Sequence, residues 1–221
     1  MITILRRLAR HFLYPQECCL CGCWVRHDDP RPVCADCLTS LDPLGEPVCP
    51  VCGIPVPADI LGIGHVCSAC RERSPSFDRA RAWGLYGGAL REVIHQFKFE
   101  GLRHLSLPLG ELLAQTFQEQ FSEDTPELLV PVPLHPHRYR ERGYDQTMLL
   151  ARRLSALVGL PVDRSIRRAR HTAPQFGLDL SSRRRNLRGA FSLQRGHPLE
   201  DRRIVIVDDV MTSGTTVEEL G

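Results

Sequence analysis

The densest chemistry in this chain lies in residues 203–220, RIVIVDDVMTSGTTVEEL. Ile204, Val205, Ile206 and Val207 form an unbroken β-branched run, the pattern of a parallel strand covered on both faces. Asp208 and Asp209 follow where that strand ends, and Thr212, Ser213, Gly214, Thr215 and Thr216 form a hydroxyl-rich turn ahead of a helical VEEL. Backbone N–H groups of a Gly-containing turn, its hydroxyls and the positive end of the next helix suit a phosphate. Two adjacent carboxylates accept hydrogen bonds from vicinal hydroxyls. A ribose carrying a 5′-phosphate offers both features, and ligands of open α/β sheets gather at the carboxyl ends of strands. No GxxxxGK[ST] occurs, which excludes a P-loop. A two-carboxylate magnesium site of the phosphotransferase kind would not need the TSGTT turn.

A second chemistry is concentrated at the other end. All ten Cys lie between Cys18 and Cys70, and eight pair as C-x2-C: Cys18/Cys21, Cys34/Cys37, Cys49/Cys52 and Cys67/Cys70. Two thiolates on one tight turn reach one tetrahedral metal, and a second such turn completes a four-cysteine site. The segment has too few apolar residues to fold alone, so metal binding would supply the missing stability. Two zinc ribbons in tandem are expected, taking Cys18, Cys21, Cys34 and Cys37, then Cys49, Cys52, Cys67 and Cys70. A disulfide-stapled secreted module is the alternative. Arg6, Arg7, Arg10 and His11 interrupt the N-terminal apolar run and argue against a signal peptide, so a cytoplasmic chain is expected. Cys19 and Cys23 are left over. They could shift the register of the first knuckle, act as redox thiols or pack; packing or spare thiols is favoured because Cys18/Cys21 alone repeats the spacing of the other pairs.

Charge is uneven although the net value is only +2. Between Arg138 and Arg188 thirteen Arg face Glu141, Asp145, Asp163 and Asp179. Such a stretch seeks phosphates. The chain also has a single Lys, Lys98.

Several elements have to position these groups. Residues 2–13 alternate apolar and basic positions at helical spacing, giving an amphipathic helix within an N-terminal segment 1–17. The ribbons occupy 18–73, Ser74-Pro75-Ser76 reads as a linker, and an α/β domain begins at residue 80. In it Ala80–Tyr86 is expected as a strand, Ala89–Phe97 as a helix, Leu105–Phe121 as a helix, Leu128–Val132 as a strand and Leu149–Leu157 as a helix. The alternation predicts a parallel α/β sheet. His135 to Gln146 reads as a basic loop with Tyr139 and Tyr144 interleaved. Beyond Pro161, Arg167, Arg168, Arg170, Thr172-Ala173-Pro174, Gln175, Phe176-Gly177 and Arg183-Arg184-Arg185 suggest an Arg-rich lid over a polyanion.

Four apolar residues, Asp-Asp, two more residues and T-S-G-T-T resemble the phosphoribosyl-pyrophosphate (PRPP) motif of type I phosphoribosyltransferases. The resemblance implies that Asp208 and Asp209 hold ribose hydroxyls and Thr212 to Thr216 the 5′-phosphate. By the same resemblance Lys98, in HQFKFEG, matches the pyrophosphate-binding loop, where a compact ammonium fits and a guanidinium fork would clash. Taken with the C-x2-C pairs, PVPLHPHRYRERGYDQ, R-x-R-x-T-x2-Q (Arg168–Gln175) and R-x2-N-x2-GAF (Arg183–Phe191), the chain resembles the ComF family over nearly its whole length. That likeness implies a zinc-binding module on a type I phosphoribosyltransferase-like sheet flanked by helices, associated in bacteria with uptake of transforming DNA. Asp145 stands where relatives often carry Asn. The type I fold normally continues past its PRPP loop with the rest of a helix and a further strand, so the domain is expected to extend beyond Gly221.

Three functions follow from these residues and the resemblance. A competence factor would bind single-stranded DNA, with Arg138, Arg140 and Arg142 on phosphates and Tyr139 and Tyr144 stacking on bases; other competence proteins are possible partners. An enzyme would displace pyrophosphate from PRPP with Mg²⁺, using an amine or nucleobase. A sensor would bind PRPP without chemistry. DNA handling ranks first because no separate acceptor pocket can be assigned.

Overall fold

The computed structural model describes residues 16–26, 28–57, 65–170, 185–194 and 199–220. The expected helix over 2–13 lies outside them, as do Thr172 to Gly177, Arg183 and Arg184 of the expected lid.

Each ribbon is a cysteine knuckle followed by a short helix. The first carries α1 (Ala35–Thr39) and the second α2 (Ser68–Arg73). Val25, Val33 and Leu41 of the first ribbon belong to the same hydrophobic core as the helices that follow, whereas Cys49, Val56 and Cys70 of the second form a small core of their own. Polar contacts reinforce the first junction: Gln96 donates to the Cys19 carbonyl at 3.0 Å, and Arg31 lies 3.6 Å from Glu111.

The segment expected as a strand over Ala80–Tyr86 is irregular. Its backbone bonds with the ribbons instead of a sheet neighbour: the Ala80 N–H donates to Val51, and the Trp83 carbonyl accepts from Leu44, both at 2.7 Å. A ladder needs those groups facing a neighbouring strand, so none forms.

Helix α3 (Gly88–Phe99) buries Leu90, Val93, Ile94 and Phe97, the i, i+3, i+4, i+7 stripe of a helix laid on a core. A 3₁₀ turn (Arg103–Leu105) leads into α4 (Ser106–Gln120). Strand β1 (Leu128–Pro131) follows, then α5 (Pro136–Arg142) and α6 (Gln146–Val158). The basic stretch after β1 is thus largely helical rather than a loop. His135 caps α5 and Pro136 starts it, while Gly143 at φ 79° ends it in the left-handed region that favours glycine. Asp145 caps α6 by accepting from the Met148 N–H at 3.0 Å, so its carboxylate serves the helix and not the basic surface.

Helices α4 and α6 pack closely at Gly110, where an added Cβ would stand 2.3 Å from Cγ of Arg153. Arg153 is held there by Glu111 at 2.7 Å.

Strand β4 (Ile204–Val207) pairs in parallel with β1 in the register Leu128↔Ile204 to Pro131↔Val207, and a parallel bridge joins Leu129 to Val162 on the other side of β1. The chain is therefore α/β, with a small parallel sheet flanked by helices. Strands β2 (Ile166–Arg168) and β3 (Phe191–Leu193) form an antiparallel pair within the stretch expected as an irregular lid. The expectation that β4 is covered on both faces holds for Val207 alone; Ile204, Val205 and Ile206 are half-buried. They line a cavity of about 720 Å³ together with Leu90, Leu113 and Phe117. Among the described residues β1 is the strand hydrogen-bonded to β4.

Candidate functional site

A cavity of about 310 Å³ opens at the carboxyl end of β4. Asp208, Asp209 and the turn from Thr212 to Thr216 line it, as do Lys98 at the end of α3, Arg138 and Arg142 of α5, Gln146 of α6 and Arg168 of β2. Four cationic side chains face two carboxylates, an excess of positive charge suited to a phosphorylated ligand.

Lys98 meets Asp209 directly, with Nζ 2.9 Å from Oδ1 and the Asp209 side chain only 7% exposed. The Asp209 N–H donates to Oδ1 of Asp208 at 2.8 Å, fixing one carboxylate against the next. Enclosure by protein, then the neighbouring Asp209 charge, hold the Asp208 carboxyl well above the usual carboxylate range; Lys98 and the Asp209 N–H offset this in part. Burial pulls the Arg142 and Arg168 guanidinium groups down from their ordinary values, with Asp209 opposing the shift at Arg142 and Asp208 at Arg168. The charges are thus packed closely enough to feel one another.

The turn itself is set by Gly214 at φ 75°, where a side chain would be strained, and the Ser213 and Thr215 hydroxyls lie 2.8 Å apart. One helical turn, α7 (Thr215–Glu218), follows. Arg142 Nη1, Gln146 Oε1 and Asp209 Oδ2 are buried without a hydrogen-bond partner among the described residues. All three line this cavity. Buried polar atoms ordinarily find partners, so three orphans around one cavity point to a polar ligand.

The basic cluster divides. Tyr139 is 51% exposed, and Arg140 is exposed on the same helix. Arg142 turns inward, its guanidinium 5.2 Å from the Phe99 ring centre. Tyr144, expected to stack on bases, is instead a core residue: it is 5% exposed, its hydroxyl donates to the Phe97 carbonyl, and its ring packs on Phe97. Such a ring cannot stack on a base. Gln146 and Arg168 lie inside the motifs quoted above, but only the tertiary structure brings them to the Asp208–Asp209 cavity. Tyr86, 45% exposed, and Phe99, 63% exposed, also line the cavity, and neither carries a periodic signal in the sequence.

The cysteines gather in two places. Cys49, Cys52, Cys67 and Cys70 have their sulfurs within 4.8 Å of one another, and so do Cys18, Cys21, Cys23 and Cys34. The Cys52–Cys67 and Cys21–Cys34 sulfurs are 3.7 Å apart. Tetrahedral zinc with bonds of about 2.3 Å needs sulfur–sulfur edges of about 3.8 Å. Burial pushes the Cys49 thiol up, but N–H groups of Cys52, Cys67 and Val51 outweigh it and bring it to about 6. Cys18 likewise falls to about 6 under the N–H groups of Cys34, Cys21 and Leu20. Both groups fit structural zinc. Cys19 packs against the main core, where burial raises its thiol to about 11.

A family model for the double zinc ribbon domain matches residues 9–75. The chain is 32% identical to Competence protein F of Haemophilus influenzae over 85% of this chain and 82% of that protein. It is 34% identical to DNA utilization protein YhgH of Salmonella typhi, over 78% and 75%. Competence protein ComFC of Bacillus subtilis is 25% identical over 84% and 74%. No solved structure matches the chain. No helix among the described residues is long and apolar enough to cross a membrane.

Proposed function

The chain belongs to the ComF family, and we propose that it works in competence-related DNA uptake, binding a ribose 5-phosphate ligand of the PRPP type beside a surface for single-stranded DNA. The observation that carries the ligand reading is the joining of Asp208, Asp209 and the Thr212–Thr216 turn with Lys98, Arg138, Arg142 and Arg168 in one cavity. In this reading the carboxylates accept from ribose hydroxyls. The hydroxyls and backbone of the turn hold the 5′-phosphate, and the cations hold pyrophosphate with Mg²⁺. A ligand at the carboxyl end of β4 is what a phosphoribosyltransferase-like sheet would hold, which supports this reading.

Competence and DNA utilization are the words in the relatives' names, and they support DNA as the partner, with other competence proteins beside it. The exposed Tyr139 and Arg140 on α5 would meet it, one stacking and the other neutralising phosphate. Arg138 and Arg142 line the cavity and belong to the small ligand. Calorimetry with PRPP and Mg²⁺ tests the pocket: measurable binding to the full chain is expected, and its absence removes the PRPP reading. Binding of an oligodeoxynucleotide that weakens steeply with salt is expected in parallel.

Phosphoribosyl transfer to an amine or nucleobase is a second reading. It is favoured by the exposed Tyr86 and Phe99 rings at the mouth of the same cavity, where a planar acceptor could lie. Pyrophosphate exchange with PRPP separates the two, since a binding protein would give none.

A further inference from the structure

The two ribbons share one plan, offset by 31 positions in their first knuckles. The Cys18 N–H donates to the Cys23 carbonyl at 2.7 Å as the Cys49 N–H does to Ile54 at 2.8 Å. The Gly22 N–H closes on Cys18 and the Gly53 N–H on Cys49, at 2.8 and 2.9 Å, with φ of 72° and 70°. In the second knuckles the Cys34 N–H meets the Cys18 sulfur at 3.3 Å and the Cys67 N–H the Cys49 sulfur at 3.4 Å. Cys18 therefore corresponds to Cys49, Cys21 to Cys52, Cys34 to Cys67 and Cys37 to Cys70. Cys23 corresponds to Ile54.

The mutually close set in the second ribbon contains Cys70, but in the first ribbon Cys23 takes that fourth place and Cys37, the counterpart of Cys70, is outside it. Cys37 remains alongside, its N–H donating to the Cys34 sulfur at 3.4 Å. Five thiols thus surround a site that tetrahedral zinc fills with four.

We propose that Cys23 is a ligand of the first zinc site and Cys37 its alternate, so that this site exchanges ligands while the second keeps a fixed set. In the exchange one Zn–S bond forms as another breaks, and the departing thiolate takes the proton that the incoming thiol gives up. Charge and proton count are unchanged, and zinc tolerates the five-coordinate passage. Cys23 is exposed, so an outside ligand reaches the metal at the same point. The first zinc is accordingly the labile one.

The test uses the zinc-loaded full chain and counts metal by native mass spectrometry. Cys37→Ser keeps both zinc ions because Cys23 completes its site, whereas Cys70→Ser, which has no spare thiol, loses one. Cys23→Ile, which copies the second ribbon, keeps both, and combining it with Cys37→Ser loses one. Under a chelator the wild type releases one zinc in a fast phase that Cys23→Ile slows to the rate of the other. A Cys37→Ser chain that holds one zinc or fails to fold, or a fast phase unchanged in Cys23→Ile, overturns the proposal. A wild type holding fewer than two zinc ions overturns the two-site reading itself.

Discussion

The ammonium of Lys98 stands 2.9 Å from Oδ1 of Asp209, joining the end of helix α3 to the end of strand β4. The chain's single Lys thus faces the second of its paired carboxylates inside the cavity proposed for PRPP. A compact ammonium reaches a carboxylate there without the width of a guanidinium fork. Lys98→Arg is expected to impair PRPP binding nearly as much as Lys98→Ala, each by about 1.5–3 kcal/mol, the worth of a hydrogen bond to a charged group. Calorimetry reads this directly. Wild-type affinity in the Arg variant would mean that charge alone matters.

Asp208 links function to stability. Its carboxyl is raised because enclosure and Asp209 oppose ionisation, so the unfolded chain releases this proton at lower pH than the folded one. Above the unfolded value the folded state binds more protons, and stability falls as pH rises through the folded value. Asp208→Asn cannot ionise, yet its side-chain oxygen can still accept from the Asp209 N–H. It should raise the melting temperature at neutral pH, by about 2–4 °C for each kcal/mol of relieved strain, leave stability unchanged at acid pH and weaken PRPP binding. A variant less stable than wild type at neutral pH would contradict this assignment.

The tyrosines should separate cleanly. Tyr144→Phe leaves the buried Phe97 carbonyl without its donor and should cost about 1–3 kcal/mol of stability without changing how DNA binding depends on salt. Tyr139→Ala should spare stability and lower single-stranded DNA affinity by about 1–3 kcal/mol if a base stacks there. Arg140→Ala should reduce the salt slope by about one phosphate contact. Denaturant melts and binding titrations across salt concentrations measure all three.

Gly110 gives a test of packing far from any ligand. An alanine there gains up to about 1 kcal/mol of helix propensity. Its Cβ, however, would collide with Cβ and Cγ of Arg153, atoms near the root of a side chain held by Glu111. Overpacking of this kind costs about 1–3 kcal/mol, so Gly110→Ala should lower the denaturation midpoint. A raised midpoint would mean that α4 and α6 separate without penalty.

What the sequence by itself determined was local. The C-x2-C spacings mark the knuckles because two thiolates three positions apart meet on one turn, and Ile204–Val207 followed by Asp208 and Asp209 marks a strand ending in charge. The apolar stripe of Leu90, Val93, Ile94 and Phe97 marks a helix because its period is helical. Each signal depends on a few neighbouring residues. Tertiary structure decided which of these pieces meet. Alternation over 80–86 resembles a strand, but a strand needs a partner, and the ribbons took its backbone bonds. Tyr139 and Tyr144 look alike in sequence, yet Tyr139 sits on α5 while Tyr144 lies beyond the Gly143 cap, where its ring falls into the core. Cys23 rather than Cys37 joins Cys18, Cys21 and Cys34 in the mutually close set of sulfurs, which C-x2-C spacing does not foretell. The meeting of Lys98 with Asp209 depends on α3 and β4 being placed side by side by a shared core, and residue spacing carries no such information because side chains distant in sequence are brought together by burial, not by the period of any element.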